Sequence, residues 1–299
     1  MSTLENQTGS TTAPLLPDTL RLGPVQLDVS NLDTSIDYYE RVVGLQTHRR
    51  DDRGAALGAG GEDLVVLHEQ PGAAPGGRHA GLYHFALLFP DRAALARAIR
   101  RIADTRTRID GASDHGVSEA IYLRDPDLNG IELAADRPRD AWPPTDTPGQ
   151  RYDIYTVALD ITSLMDTIAG EAPEEHADPG VVMGHVHLHV AGIERGLSFY
   201  RDVLGFEVMA SISGAAFVSA GGYHHHVSFN SWLGPDVRPR PDGAAGLRQW
   251  IVVLERPEEV EAVRERVRAA GLEWEDRDGG FLVRDPWGTA VVISTSPDA

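Results

Sequence analysis

The chain has 299 residues, 41% hydrophobic and 24% charged, and its 27 Lys and Arg against 45 Asp and Glu give a formal net charge of −18. These values describe a soluble globular protein of about two domains, and the acidity argues against nucleic acid and anionic membrane as partners. With no cysteine, disulfides, thiolate ligands and a cysteine nucleophile are excluded, and a cytoplasmic location is expected.

Residues 1–18 are rich in Thr, Ser, Asn and Pro and have neither the basic start nor the apolar run of a signal peptide. They are expected to form a disordered tail. No later segment reaches the apolar length of a bilayer span.

Leu22 to Val29 then alternates as a strand, and a short helix follows, ending at Tyr38 to Leu45. The same pattern returns as Met183 to Val190 and Phe199 to Phe206, at a constant offset of 161 residues (190 − 29 and 205 − 44). Gly23/Gly184, Val25/Val186, Tyr39/Tyr200 and Gly44/Gly205 are identical pairs. In the second copy Val186, Leu188 and Val190 alternate with His185, His187 and His189, so one strand face is apolar and the other carries imidazoles. A helix is predicted over 193–203, stopped by Gly205, with short strands near 206–212, 215–220 and 224–230.

Two further units share this order. One runs from Leu82–Phe89 through a helix after Asp91 to Ile131–Leu133, the other from Gln249–Leu254 through a helix over 257–270 to Val291–Ile293. Arg124-Asp125-Pro126 and Arg284-Asp285-Pro286 mark equivalent turns. Four βαβββ units follow, over 20–69, 80–135, 182–231 and 246–295. They divide into an N-terminal domain (19–135), a Pro- and acid-rich linker (136–180) and a C-terminal domain (181–299). The arginine-rich helices at 91–103 and 257–270 look like ordinary amphipathic faces. Gly58 to Gly61 reads as a hairpin turn, because no helix pattern opens after it.

The run from Asp114 to Glu132 carries the chemistry. It sets His115, Tyr122 and Glu132 at spacings suited to one metal centre, while His84 and His185 occupy matching places in two copies of the repeated strand. Two imidazoles and one carboxylate are the ligand set of a non-haem iron(II) site with open positions.

The four units, the helix end at Phe199, Tyr200, Leu204, Gly205 and Phe206, and the motifs at Gly81–Phe85, 114–132, Gly184–Val190 and Ala220–His226 resemble the vicinal oxygen chelate superfamily (glyoxalase, bleomycin resistance protein, extradiol dioxygenase). Within it the chain closely resembles bacterial two-domain catechol 2,3-dioxygenases, over roughly residues 20–295. Leu128 departs from the ring-cleavage signature, which has Gly there. The resemblance implies an α+β fold of two cupped mixed β-sheets with helices outside. It also implies that a first strand supplies a histidine ligand and a last strand a glutamate.

His84 and His185 lie five residues before the strand ends Phe89 and Val190; Pro24 and Gln249 hold that slot in the other units. Only the second and third units therefore carry ligands. A site made of His84, Glu132 and His185 requires those two units to share one cup, leaving the first and fourth to form a cup without metal. By the same resemblance Tyr122 hydrogen-bonds the bound diol, and His115 contacts its oxygen from the rim. Either His225 or His226 acts as acid–base. His224 to His226 are expected on the last strand of the third unit, with His225 facing opposite to His224 and His226. His187, His189 and His224 are expected to line the substrate pocket.

The expected function is ring cleavage of a catechol with O2 at Fe(II), with Mn(II) as a second candidate ion, giving a 2-hydroxymuconic-semialdehyde-type product. The expected partners are a small aromatic diol and O2, with no nucleic acid and no membrane, and homo-oligomers are compatible. A glyoxalase-like isomerase or lyase with a fourth ligand, and a non-enzymatic small-molecule-binding resistance protein, stand as alternatives.

Overall fold

The computed structural model describes residues 15–298, and their strands fall into the four units that the repeat implies. In the first unit the strand Val25–Val29 leads into helix Leu32–Tyr38 and then strands Gln46–Arg50, Gly54–Gly58 and Asp63–Glu69. The second has strand Gly81–Phe89, helix Arg92–Asp104 and strands Gly111–Asp114, Ser118–Arg124 and Gly130–Asp136. The third has strand Val182–His189, helix Ile193–Leu197 and strands Glu207–Ile212, Ala215–Ser219 and Val227–Asn230. The fourth has strand Gly246–Val253, helix Pro257–Ala269 and strands Trp274–Arg277, Gly280–Arg284 and Ala290–Ser294.

The sheets do not follow the halves of the chain. Gly81–Phe89 pairs antiparallel with Val182–His189, fusing the second and third units into one mixed sheet. Val25–Val29 pairs antiparallel with Gly246–Val253, fusing the first and fourth. This is the cross-pairing that a shared ligand cup demands. Each first strand is flanked on its other side by a parallel neighbour, the last strand of its own unit. That arrangement places the two ligand-bearing strand types side by side.

The helices lie against the apolar strand faces. Val186, Leu188, Phe85, Leu87, Trp250 and Val252 are all buried in one hydrophobic cluster with helix residues such as Leu95, Ile99 and Val263. Fully burying such side chains contributes about 1.5–3 kcal/mol each.

Two readings of the helices need correction. The segment 193–203 is not one regular helix: it widens into a π-helical turn at Ser198–Val203, as its counterpart does at Tyr39–Val43. Gly44 (φ 88°) and Gly205 (φ 95°) then end the turns in the left-handed region, where a Cβ is disfavoured. Nor are the helices of the second and fourth units, Arg92–Asp104 and Pro257–Ala269, merely amphipathic. Arg101 donates to the Val43 carbonyl at 3.1 Å, and Arg266 donates to the Val203 and Leu204 carbonyls at 2.9 and 2.7 Å. Each arginine thus satisfies carbonyls that a helix end leaves without partners.

The tail and the linker also differ from expectation. Residues 1–14 lie outside the described residues, but Leu16 is buried and its amide donates to the Gly205 carbonyl at 2.9 Å. The linker is built into the ligand-bearing sheet: Val157–Ala158 pairs with Gly111–Asp114, and Trp142 and Ile154 are buried. No helix among the described residues is long and apolar enough to cross a membrane.

Candidate active site

Strand register sets the three ligand candidates. Glu132 stands beside Ala86 in the parallel pair, and His84 stands opposite His187 across the antiparallel one. Glu132 Oε2 lies 2.9 Å from His84 Nε2 and 3.1 Å from His185 Nε2, and the two imidazole nitrogens are 3.3 Å apart. All three side chains are buried.

These distances fit a cation. For bonds of about 2.1 Å meeting near right angles, neighbouring donor atoms stand about 3 Å apart. The protonation states fit as well. Burial raises the Glu132 carboxyl, but His185 and His84 beside it outweigh that and hold it well below the usual carboxylate range. Burial holds His84 below the usual imidazole value. A carboxylate and neutral imidazoles are the forms that bind metal. Among the described residues no fourth His, Asp or Glu joins the cluster.

The cluster sits at the base of a cavity of about 340 Å³. His84, Glu132, His185, His187, His225, Tyr122 and His115 all line it, and its apolar wall includes Val117, Ile154, Phe217 and Trp232. Tyr122 lies opposite Glu132 in the antiparallel Ser118–Arg124/Gly130–Asp136 pair, and its ring is 5.5 Å from that of His84. His225 flanks the other imidazole, ring to ring with His185 at 4.1 Å.

Tyr122 and His115 form one unit. The Tyr122 hydroxyl is 2.7 Å from His115 Nε2, and His115 Nδ1 is 2.8 Å from the Tyr155 carbonyl. A carbonyl only accepts, so His115 donates from Nδ1, while its Nε2 shares a hydrogen bond with the phenol. Burial, with Glu132 nearby, pushes the Tyr122 pKa well above its usual value. The phenol therefore stays protonated at neutral pH.

The triple histidine needs its own correction. His224 to His226 precede the strand Val227–Asn230 instead of belonging to it, although the His226 backbone still pairs with Val218 and Val186 on either side. His225 faces the cavity. His226 bonds Ser219 Oγ through Nδ1 at 2.7 Å and lines a separate depression with Gly184 and Ala220. His224 is buried behind His225, bonded to it and to Asp136, and does not reach the cavity. His187 does reach it, whereas His189 lines a smaller neighbouring cleft with His79 and Asn129. Asn230 bridges these two histidines, 2.9 Å from His187 Nε2 and 2.9 Å from His189 Nδ1.

Sequence reasoning missed Asn230, Asp136, Trp232 and the linker residues Ile154 and Thr156. Only Asn230 left a signal, at the end of the strand predicted near 224–230.

The model of the Glyoxalase/Bleomycin resistance protein/Dioxygenase superfamily matches residues 21–133 and 182–293. The chain is 42% identical over 276 residues to the catechol-2,3-dioxygenase of Bacillus subtilis (strain 168), covering 91% of this chain and 95% of that one. Among solved structures it resembles a putative dioxygenase from the same organism, with TM-score 0.64, 12% identity and coverage of 94% and 86%. It also resembles glyoxalase I from Zea mays, with TM-score 0.57, 19% identity and 92% of both chains covered. These two structural likenesses concern the fold alone. The chain belongs to the Glyoxalase/Bleomycin resistance protein/Dioxygenase superfamily.

Proposed function

We propose that this chain is an extradiol dioxygenase that cleaves a catechol, or a substituted catechol, beside its hydroxyls with O2 at a mononuclear Fe(II) held by His84, Glu132 and His185. The observation that carries the reading is the donor set: two imidazoles and one carboxylate, buried and mutually 2.9–3.3 Å apart, with no fourth ligand among the described residues. The catechol-2,3-dioxygenase relative supports it. Mixed N and O donors suit iron, and Mn(II) fits the same set.

A bound ferrous ion supplies the redox coupling between an electron-rich diol and dioxygen, with positions left open for both. The protein's part is positioning and proton handling. The apolar wall of Val117, Ile154 and Phe217 encloses an aromatic ring and limits water. Tyr122, hydrogen-bonded to His115, offers its phenol oxygen to a diol hydroxyl and so orients the substrate. His225 takes and returns a proton across the cavity from Tyr122. The product keeps every atom of the diol and both of O2, with one ring C–C bond broken, as in a 2-hydroxymuconic semialdehyde.

The three-donor set disfavours a glyoxalase-like isomerase, for which a fourth ligand is expected. The test is anaerobic reconstitution with Fe(II), followed by catechol and air. A yellow product with stoichiometric oxygen uptake supports the reading. Silence across a panel of catechols and hydroquinones, despite bound iron, overturns it.

A further inference from the structure

The group behind His225 has no role in the scheme above, yet it forms a continuous chain of hydrogen bonds. Asp136 Oδ1 is 2.8 Å from His224 Nε2, and His224 Nδ1 is 2.8 Å from His225 Nδ1. Both histidines are buried. Asp136 ends the strand that carries Glu132, so the carboxylate is anchored by the same strand as a ligand.

We infer that Asp136 and His224 are positioning residues that lock His225 as the tautomer whose bare Nε2 faces the cavity, ready to accept a proton. The argument is one of donors and acceptors. A carboxylate only accepts, so His224 carries its proton on Nε2 and leaves Nδ1 bare. Two bare nitrogens cannot bond, so His225 donates from Nδ1. Its Nε2 is then the acceptor that a general base needs. Reversing any link would turn a proton into the cavity and make the same ring a donor.

The surrounding residues hold the chain in place. The His224 ring lies between Tyr223, at 4.1 Å, and Trp142, at 5.0 Å. Trp142 comes from the linker and is itself fixed by donation from its Nε1 to the Arg137 carbonyl at 2.8 Å.

The base role of His225 rests on the proposed dioxygenase activity, but the tautomer does not, and the two are tested apart. Nitrogen-15 spectra of the histidine-labelled protein, metal-free and loaded with diamagnetic Zn(II), report which ring nitrogen is protonated. The expected result is His225 protonated on Nδ1 and His224 on Nε2, with the preference lost in Asp136→Ala. A dominant Nε2–H form of His225 in the unaltered protein, or a preference that survives Asp136→Ala, overturns the inference whatever the activity.

In the iron-loaded enzyme, Asp136→Ala and His224→Phe should each lower kcat tenfold to a hundredfold, with KM within about twofold and metal content unchanged. His224→Phe keeps an aromatic ring between Tyr223 and Trp142, so it separates loss of the bond from loss of packing. Full kcat in both variants overturns the positioning role. An unaltered protein that shows the expected tautomer but cleaves no diol overturns the dioxygenase reading alone.

Discussion

The Tyr39 hydroxyl donates a 3.0 Å hydrogen bond to Asp125 Oδ2, and Tyr200 repeats the contact with Asp285, also at 3.0 Å. The sheets join the first unit to the fourth and the second to the third. These two bonds join the first to the second and the third to the fourth. Each unit is thus tied to two others, and the ligand cup is held to the cup that lacks the ligand set. Asp125 is also the hub of its own turn, since Oδ1 accepts from the Asp127 and Asn129 amides.

Removing that hydroxyl with Tyr39→Phe should cost about 1–2 kcal/mol, because the bond is buried and its acceptor is a carboxyl group. Urea unfolding measures this as a lower midpoint at unchanged slope. An unchanged midpoint would show that the pin contributes nothing.

The same aspartate gives a pH dependence. Burial raises Asp125 to about 6 in the folded state, against the ordinary 3.8 of an aspartate. The folded state therefore binds more protons than the unfolded one between about pH 4 and 6, and the charge costs stability above that window. Relative to Asp125→Asn, the unaltered protein should gain stability as pH falls from 7 to 4, by up to about 3 kcal/mol. A stability difference flat across this range would refute the assignment.

Leu128 adopts φ 68°, and its counterpart in the fourth unit is Gly288 at φ 89°. The turn keeps its left-handed residue even where the ring-cleavage signature is broken. Leucine there carries a strain of about 1 kcal/mol or more, only partly offset by the greater unfolded-state freedom of glycine. Leu128→Gly should therefore stabilise by about 0.5–1 kcal/mol, visible as a rise in Tm.

Metal should stabilise the fold, because the unfolded chain does not hold the three donors together. At metal a hundredfold above Kd the gain is about 2.7 kcal/mol. A chelator should lower Tm in the unaltered protein and leave Glu132→Ala, which lacks the carboxylate, unaffected. An equal response in both would place the ion elsewhere.

Tyr122→Phe should retain metal and lose turnover, by about tenfold to a hundredfold. The distinguishing measurement pairs metal content with kcat. Loss of metal would make the tyrosine a support for Glu132 rather than a substrate contact.

Local pattern carried much of this protein. The constant offset between copies, the alternation of imidazoles with valines and leucines, and the Arg-Asp-Pro turns made the four units readable, because strand and helix periods are properties of neighbouring residues. The choice of His84, Glu132 and His185 followed from equivalent slots in repeated strands. The pairing of the units could be deduced only conditionally, from the requirement that those slots meet.

The rest was settled by contacts distant in sequence. His224 stays out of the cavity because Asp136 and His225 engage both of its ring nitrogens, and His226 turns to Ser219. Ile154 walls the cavity and Trp142 packs on the His224 ring because a segment resembling a linker is buried against Val117 and the third unit. Asp136 meets His224 across 88 residues, and no local pattern encodes a hydrogen bond whose partners are brought together only when two units join in one curled sheet.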